Sequence, residues 1–140
     1  MEWRPVSEKE FVNYAKGLGN YCTYGDTLNI LRAVFKAFKQ ALGNEAEAMG
    51  KLLPASLQPL WNEAVPSGPP GGSLLGLIQA YCSLPTEKEA ERALLTFFGT
   101  VKEKQAGYAG AWEQAIPGEL RAYWEKSRTI DEVQDPGQCL

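Results

Sequence analysis

Carboxylates are the side chains of this sequence that could most readily act as acids, bases or metal ligands. Glu87 and Glu91 are four residues apart, a spacing that places two side chains on one face of a helix. Lys88 and Arg92 alternate with them, and a first helical turn of mixed charge is typical of a solvated surface that stabilises the helix dipole. We therefore interpret this segment as an exposed helix start and not as a catalytic pair.

Histidine is absent from the chain, which excludes the commonest general base, the imidazole ligand of zinc and the Ser-His-Asp triad. The same absence excludes the Glu-x-x-His sites of ferritin-like bundles. The sequence also lacks a Walker loop, a GxGxxG segment after a strand and a GxSxG elbow. We predict no catalytic, cofactor-binding or metal-ligating residue and no cofactor. Whether the protein is an enzyme stays uncertain, and a non-catalytic protein is favoured.

The three cysteines, Cys22, Cys82 and Cys139, are too few and too widely spaced for a disulfide framework or a CxxC metal site. We interpret them as buried thiols. A bridge between Cys22 and Cys82 is the alternative, because both fall near the ends of corresponding predicted helices. Cys22 could be a nucleophile only beside an activating base, which the sequence does not visibly supply.

The composition indicates one folded, cytoplasmic domain. At 140 residues with 44% hydrophobic content, the chain is long enough to bury a continuous core. A net charge of −3 gives no basic field for a phosphate backbone, so we predict no nucleic-acid partner. No apolar run approaches the length needed to cross a membrane, and the charged N-terminal segment lacks the apolar centre of a signal peptide. We therefore predict no membrane partner.

An internal repeat is the strongest pattern in the chain. Shifting the sequence by 63 residues pairs positions 11–61 with positions 74–124 without a gap, and nine of these pairs are identical. Most identities are apolar or helix-boundary residues, which a duplicated packing unit has to keep. Glu45 and Glu47 have Tyr108 and Gly110 as their counterparts, so the repeat gives no support to a symmetric metal site.

Helical spacing of apolar residues predicts an all-α fold in which two tandem copies of a roughly four-helix unit pack as one pseudo-two-fold domain. The first copy spans residues 1–64, a Pro/Gly-rich connector 65–73, the second copy 74–127 and a tail 128–140. The predicted helices cover residues 7–16, 24–42, 45–53 and 55–64 in the first copy, and 73–82, 87–105, 109–115 and 117–127 in the second. Thr23 and Thr86 are the predicted N-caps of the long central helices, which Gly43-Asn44 and Ala106-Gly107 are expected to end.

The segments LPASLQPLW and IPGELRAYW end the two copies with one shared pattern. Proline is tolerated at the first position of a helix, and Leu and Trp four residues apart share a face. Pro59 has no counterpart in the second copy, and a helix start capped by Ser56 would accommodate it in the first turn. We predict a set of structural anchors in these segments and the central helices: Pro54, Leu57, Trp61, Pro117, Leu120, Trp124, Phe35 and Phe98.

Tandem helical units with a segment such as Leu52-Leu53-Pro54-x-x-Leu57 or Ile116-Pro117-Gly118-Glu119-Leu120-Arg121 resemble the bacterial family described as domain of unknown function 2267. The resemblance covers about residues 7–127 and implies a duplicated helical fold, with no activity to transfer. Gln58 departs from the pattern, since the second copy has the more typical Arg121 at the corresponding place.

Three functions stay open at this stage. The leading hypothesis is a non-catalytic interaction or scaffolding protein with a protein partner or a homo-oligomeric assembly. The second is a binder of a small apolar ligand between the two repeats, because helical bundles rich in aromatic residues can enclose such pockets. The third is a Cys- or carboxylate-dependent enzyme. An exposed apolar patch would favour the first hypothesis, and an enclosed cavity with one or two polar groups would favour the second.

Overall fold

A computed structural model describes residues 6–129, and within that range the chain is all-α, with no β-strand. The all-α part of the predicted fold class is confirmed. Eight α-helices follow one another: α1 (Glu8–Gly19), α2 (Tyr24–Leu42), α3 (Asn44–Lys51), α4 (Gln58–Glu63), α5 (Leu74–Tyr81), α6 (Glu87–Lys104), α7 (Ala109–Ala115) and α8 (Arg121–Lys126). Short 3-10 turns at Ala55–Leu57, Ala106–Tyr108 and Gly118–Leu120 precede α4, α7 and α8. Across residues 6–129 no helix has the length and apolar character that crossing a membrane requires.

The two long helices, α2 and α6, begin at the predicted threonine caps. The Thr23 hydroxyl accepts a hydrogen bond from the Asp26 N–H at 3.0 Å, and the Thr86 hydroxyl accepts one from the Glu89 N–H at 3.3 Å. These bonds satisfy N–H groups that have no partner inside the helix. The Glu89 carboxylate does not turn back to the cap and instead contacts Arg92 at 3.3 Å.

The end of α2 matches its prediction and the end of α6 does not. Gly43 closes α2 with φ +57°, a left-handed value that glycine adopts without strain. At the end of α6, Gln105 has φ −126°, and Gly107 lies inside the 3-10 turn that leads directly into α7. The prediction that Ala106 and Gly107 end this helix in the manner of Gly43 was therefore wrong.

The last helix of each half begins later than predicted. Pro54 and Pro117 have extended ψ angles of 151° and 152°, so each precedes a 3-10 turn and does not start an α-helix. Pro59 lies in the first turn of α4, where its missing N–H costs no intrahelical bond. Ser56 does not cap α4, because its hydroxyl donates to the Val6 carbonyl at 2.7 Å.

The helices of residues 6–64, the first half, interlock with those of residues 74–129, the second half. Helix α1 packs mainly against α6, and α5 packs mainly against α2. The first helix of each half therefore covers the long helix of the other half, and α2 and α6 also contact each other. Because neither half covers its own long helix alone, one core spans both.

Phe97 on α6 is the centre of that core. Its ring lies 5.5 Å from Phe35 and 5.7 Å from Phe38, both on α2, and 6.2 Å from Phe11 on α1. On the other side it meets Trp112 of α7 at 5.7 Å, in an edge-to-face arrangement. Such pairs contribute about 0.5–1.5 kcal/mol each beyond the area they bury. The aromatic cluster therefore joins helices from both halves.

The connector between Glu63 and Leu74 contains no helix, as its Pro/Gly content predicts. Its backbone is held at two points. The Gly71 N–H donates to the Gln40 carbonyl at 2.7 Å, and the Ser67 N–H donates to the Tyr81 hydroxyl at 2.9 Å. The division at residues 64, 73 and 127 stays a prediction, and most of the predicted tail lies outside the described residues.

Candidate functional site

The eight predicted anchors occupy two similar sets of surroundings, one in each half. Leu57, Trp61, Leu120 and Trp124 are buried, as are the two anchoring phenylalanines of the long helices. The Trp61 ring lies 5.2 Å from Phe35, and the Trp124 ring lies 5.4 Å from Phe98, both edge to face. Pro54 and Pro117 are half-buried at the loops that lead into these helices.

A lysine from the long helix contacts each tryptophan in the same way. Lys39 Nζ donates to the Trp61 carbonyl at 2.5 Å and lies 4.9 Å above the indole ring. Lys102 Nζ donates to the Trp124 carbonyl at 2.5 Å and lies 5.0 Å above that ring. Burial lowers the pKa of Lys39 from its usual value. These lysines, 63 residues apart, tie α4 to α2 and α8 to α6.

Gln58 and Arg121 also have equivalent partners. Gln58 Nε2 donates to the Gly50 carbonyl at 2.8 Å, and Arg121 Nη2 donates to the Glu113 carbonyl at 2.9 Å. Both bonds span eight residues of the chain. Gln58 therefore makes the same connection as Arg121 at the corresponding place in the second half.

The two tryptophans differ at one position. The Trp61 indole lies against Gly50, where an added Cβ would come within 2.4 Å of the ring. The equivalent position in the second half is Glu113, and its carboxylate accepts a hydrogen bond from Trp124 Nε1 at 3.0 Å. All of these contacts bury or satisfy groups of the fold itself, so the anchors form a packing framework and not a reactive site.

A pocket of about 350 Å³ lies where the loop after α3 meets the turn after α6. Both halves contribute to its wall, and we call it the inter-half pocket. It is partly enclosed, more so than the two clefts described below, and most of its surface is apolar. Its lining consists of Val6, Lys51, Leu52, Leu53, Pro54, Ala55, Lys104, Gln105, Ala106, Gly107 and Tyr108.

Gln105 is the buried polar residue of this pocket, with a relative exposure of 7%. Its Nε2 donates to the Leu52 carbonyl at 2.7 Å, which joins the two halves at the pocket wall. Its Oε1 is shielded from solvent and has no hydrogen-bond partner among residues 6–129. A buried acceptor without a partner costs about 1–3 kcal/mol, which the rest of the fold has to offset at this wall.

Two further clefts carry charged or sulfur-containing groups. The first, of about 460 Å³, lies beside Leu18 and Leu95, and its charges are largely paired within the cleft. Glu89 contacts Arg92, and Glu91 contacts Lys126 at 2.6 Å. The second contains Cys22 and Cys82 together with Asp26 and Glu89. Burial, with a smaller contribution from Asp26, raises the pKa of the Cys82 thiol, which disfavours the nucleophilic thiolate.

The cysteines correct the sequence interpretation. Cys82 is a half-buried free thiol, so the Cys22–Cys82 bridge is not formed. Cys22 is exposed and disulfide-bonded, so it is not a buried thiol. Cys139 lies outside the described residues. The burial prediction failed at Cys22 because the residue falls in the short loop between α1 and α2 and not on an inward helix face.

The carboxylates singled out from the sequence do not converge. Glu87, Glu45 and Glu47 are exposed, and Glu91 contacts Lys126. Within residues 6–129 no group of three or more potential metal-ligating side chains is close enough to hold an ion. These carboxylates therefore lie at solvated helix surfaces.

Comparison with known proteins adds no relative: no family model matches the chain, and neither the curated proteins nor the solved structures contain a match.

Sequence reasoning did not find the polar residues of the inter-half pocket. Lys51, Lys104, Gln105 and Tyr108 form no motif and come from separate segments of the chain. At a shift of 63 residues these positions correspond to Gln114, Ala41, Leu42 and Glu45, and all four differ from their counterparts. Because most pairs at this shift differ, the repeat gave no signal for these residues.

Proposed function

We propose that this protein is a non-catalytic binding module that holds a small, largely apolar molecule in the inter-half pocket. The observation that carries the proposal is a partly enclosed, mainly apolar wall at the junction of the two halves, where the Gln105 side chain bonds across the wall to the Leu52 carbonyl. Small-molecule sites have this character, with mainly apolar walls and a few polar groups that fix orientation.

A scaffolding role has less support from the described surface. Within residues 6–129 the large hydrophobic side chains that are exposed are Val65 and Tyr108. Val65 belongs to the connector, whereas Tyr108 lines the pocket. Docking surfaces on a soluble protein usually need a contiguous apolar patch of several hundred Å². A protein partner or a homo-oligomer stays a prediction.

We also propose that the chain arose by duplication of one helical unit. We propose further that it belongs to the family described as domain of unknown function 2267. The matched contacts of Trp61 and Trp124 support two equivalent units, packed with pseudo-two-fold symmetry. A cytoplasmic location stays a prediction, and the disulfide at Cys22 is a bond that reducing cytosol disfavours.

A titration of uniformly ¹⁵N-labelled protein with 1-octanol, followed by amide chemical shifts, tests the function. We expect saturable shifts at residues 51–55 and 104–108. Ala106→Phe places a ring in the pocket and should abolish them. Ala111→Phe, at an exposed helix position outside the pocket lining, should leave them unchanged. Shifts spread over unrelated surfaces, or binding that Ala106→Phe does not weaken, would refute the proposal.

A further inference from the structure

We infer that the ligand of the inter-half pocket is an amphipathic anion, in which a singly charged head group is attached to a short apolar body. The inference rests on the proposed function, because it specifies the chemistry of the same pocket. It depends on the charge of the pocket lining, on the helix ends that meet there and on the pocket's volume.

Among residues 6–129 the pocket lining carries two cations and no acid. Lys51 comes from the first half and Lys104 from the second, and no Asp or Glu of the described chain is among the lining residues. Neither lysine forms an ion pair within residues 6–129. Lys104 Nζ lies 5.4 Å above the Tyr14 ring, a contact that leaves its charge intact. The cleft beside Leu18 and Leu95 also carries cations, but it holds the acids Glu89 and Glu91 among them.

Helix dipoles reduce this positive charge and do not cancel it. Lys51 and Lys104 are the last residues of α3 and α6, whose carboxyl ends each carry roughly half a negative charge. The two ammonium groups contribute +2 and the two helix carboxyl ends about −1 together, so a net charge of about +1 remains beside the apolar wall. That balance suits one singly charged head group. A multiply charged ligand would exceed it.

The volume limits the apolar body. A water molecule occupies roughly 30 Å³ in the liquid, so the pocket volume of about 350 Å³ has room for about a dozen groups of that size. Leu52, Leu53 and Pro54 supply apolar contact for a chain or ring of that size. The ligand class is therefore a small carboxylate-type amphiphile, since a full-length lipid is larger than the pocket.

The corresponding positions of the repeat would not bind such an anion. Lys51 and Lys104 are replaced there by Gln114 and Ala41, and Tyr108 is replaced by Glu45. The equivalent surface thus has no cation at these positions and gains an acid. The difference places anion recognition on one side of the molecule, and one ligand per chain is expected.

Octanoate and 1-octanol, which share an apolar chain and differ in head-group charge, separate this inference from the proposed function. Affinities are measured for both by amide shifts at residues 51–55 and 104–108 in low salt. We expect octanoate to bind at least tenfold more tightly, and its advantage to shrink as salt is raised, because salt screens exposed charges. Stoichiometry should be one.

Paired lysine variants complete the test. Lys51→Gln with Lys104→Gln should reduce octanoate affinity to that of 1-octanol and leave 1-octanol binding unchanged. Lys88→Gln with Lys126→Gln removes the same charge from the other cleft and should change neither. Dispersed amide spectra establish that each variant is folded. Equal or weaker binding of octanoate by the unaltered protein overturns the inference and leaves the proposed function standing. Binding of neither probe at the pocket refutes both.

Discussion

The side chain of Gln105 and the carbonyl of Leu52 are joined by a hydrogen bond of 2.7 Å that crosses from the end of α6 to the loop after α3. This bond closes the wall of the inter-half pocket and connects the two halves of the chain there. The residue equivalent to Gln105 in the repeat is Leu42, a buried leucine at the end of α2. This amide is therefore one of the differences between the two sides of the molecule.

Gln105→Leu reproduces the residue found at the equivalent position and tests the energy of this bond. The variant leaves the Leu52 carbonyl without its partner, which costs about 1–3 kcal/mol, but it also removes the unsatisfied Oε1. Because the two effects oppose each other, we expect a net loss of no more than about 1 kcal/mol. Urea unfolding measures it, and a loss of several kcal/mol would show that the bond is central to the fold.

Two glycine-to-alanine substitutions should have opposite effects on stability. Gly50→Ala places a Cβ within 2.4 Å of the buried Trp61 ring, and such overpacking typically costs about 1–3 kcal/mol. Gly110→Ala, in α7, meets nothing within 4 Å and should stabilise by up to about 1 kcal/mol through helix propensity. Thermal unfolding of the two variants checks the signs. A neutral Gly50→Ala would mean that the indole is free to move away.

The two lysine–tryptophan contacts should be of similar energetic value. Lys39→Met and Lys102→Met each remove a hydrogen bond to a tryptophan carbonyl and a cation above its ring. Lys102→Met also removes a bond of 3.2 Å to the Ser127 carbonyl, so its loss should be slightly the larger. Both lysines are half-exposed, so we expect losses near 1 kcal/mol and not the larger values of buried charged bonds. Lys88→Met, on an exposed helix face, is the control and should change stability by less than about 0.5 kcal/mol. Widely unequal losses at Lys39 and Lys102 would argue against equivalent units.

Tyr21 should make the protein sensitive to alkali. Burial raises the pKa of its phenol from 10.0 to about 12, against the smaller opposing effects of Thr96 and Arg92. The folded state holds the phenol proton more tightly than the unfolded state. The contribution of this proton to the unfolding free energy is therefore fully present below pH 10. It is lost as pH rises towards 12, by up to roughly 2–3 kcal/mol.

The measurement compares the unaltered protein with Tyr21→Phe by urea unfolding between pH 8 and pH 12. Over pH 10–12 the unfolding free energy of the unaltered protein should fall relative to that of Tyr21→Phe, since phenylalanine does not titrate. A difference that stays constant with pH would show that the phenol ionises as readily in the folded state as in the unfolded state.

Local structure could be predicted from the sequence because its causes are local. Thr23 and Thr86 were identified as N-caps from their spacing to the next polar residues, and Gly43 from its tolerance of positive φ. The bounds of α2 and α7 agree with those predicted from apolar periodicity and helix-ending residues. Pro54 and Pro117 show the limit of such rules, because proline favours both a helix start and the extended residue before a turn.

Pairing between distant segments could not be read from these local patterns. The repeat predicted matched burial of Trp61 and Trp124, but not that α1 packs on α6 and α5 on α2. Nor did the sequence show that Cys22, which lies between the first two predicted helices, is exposed and outside the core.

The amino-acid sequence by itself determined the helices, their caps and the apolar faces, because hydrogen bonding and side-chain periodicity act within a few residues. Only the tertiary structure decided which loops meet. Lys51 and Lys104 are 53 positions apart, and their shared pocket exists because the ends of α3 and α6 converge. The ends of these helices converge because the apolar faces of all the helices have to be buried together. No single segment of the sequence carries that information.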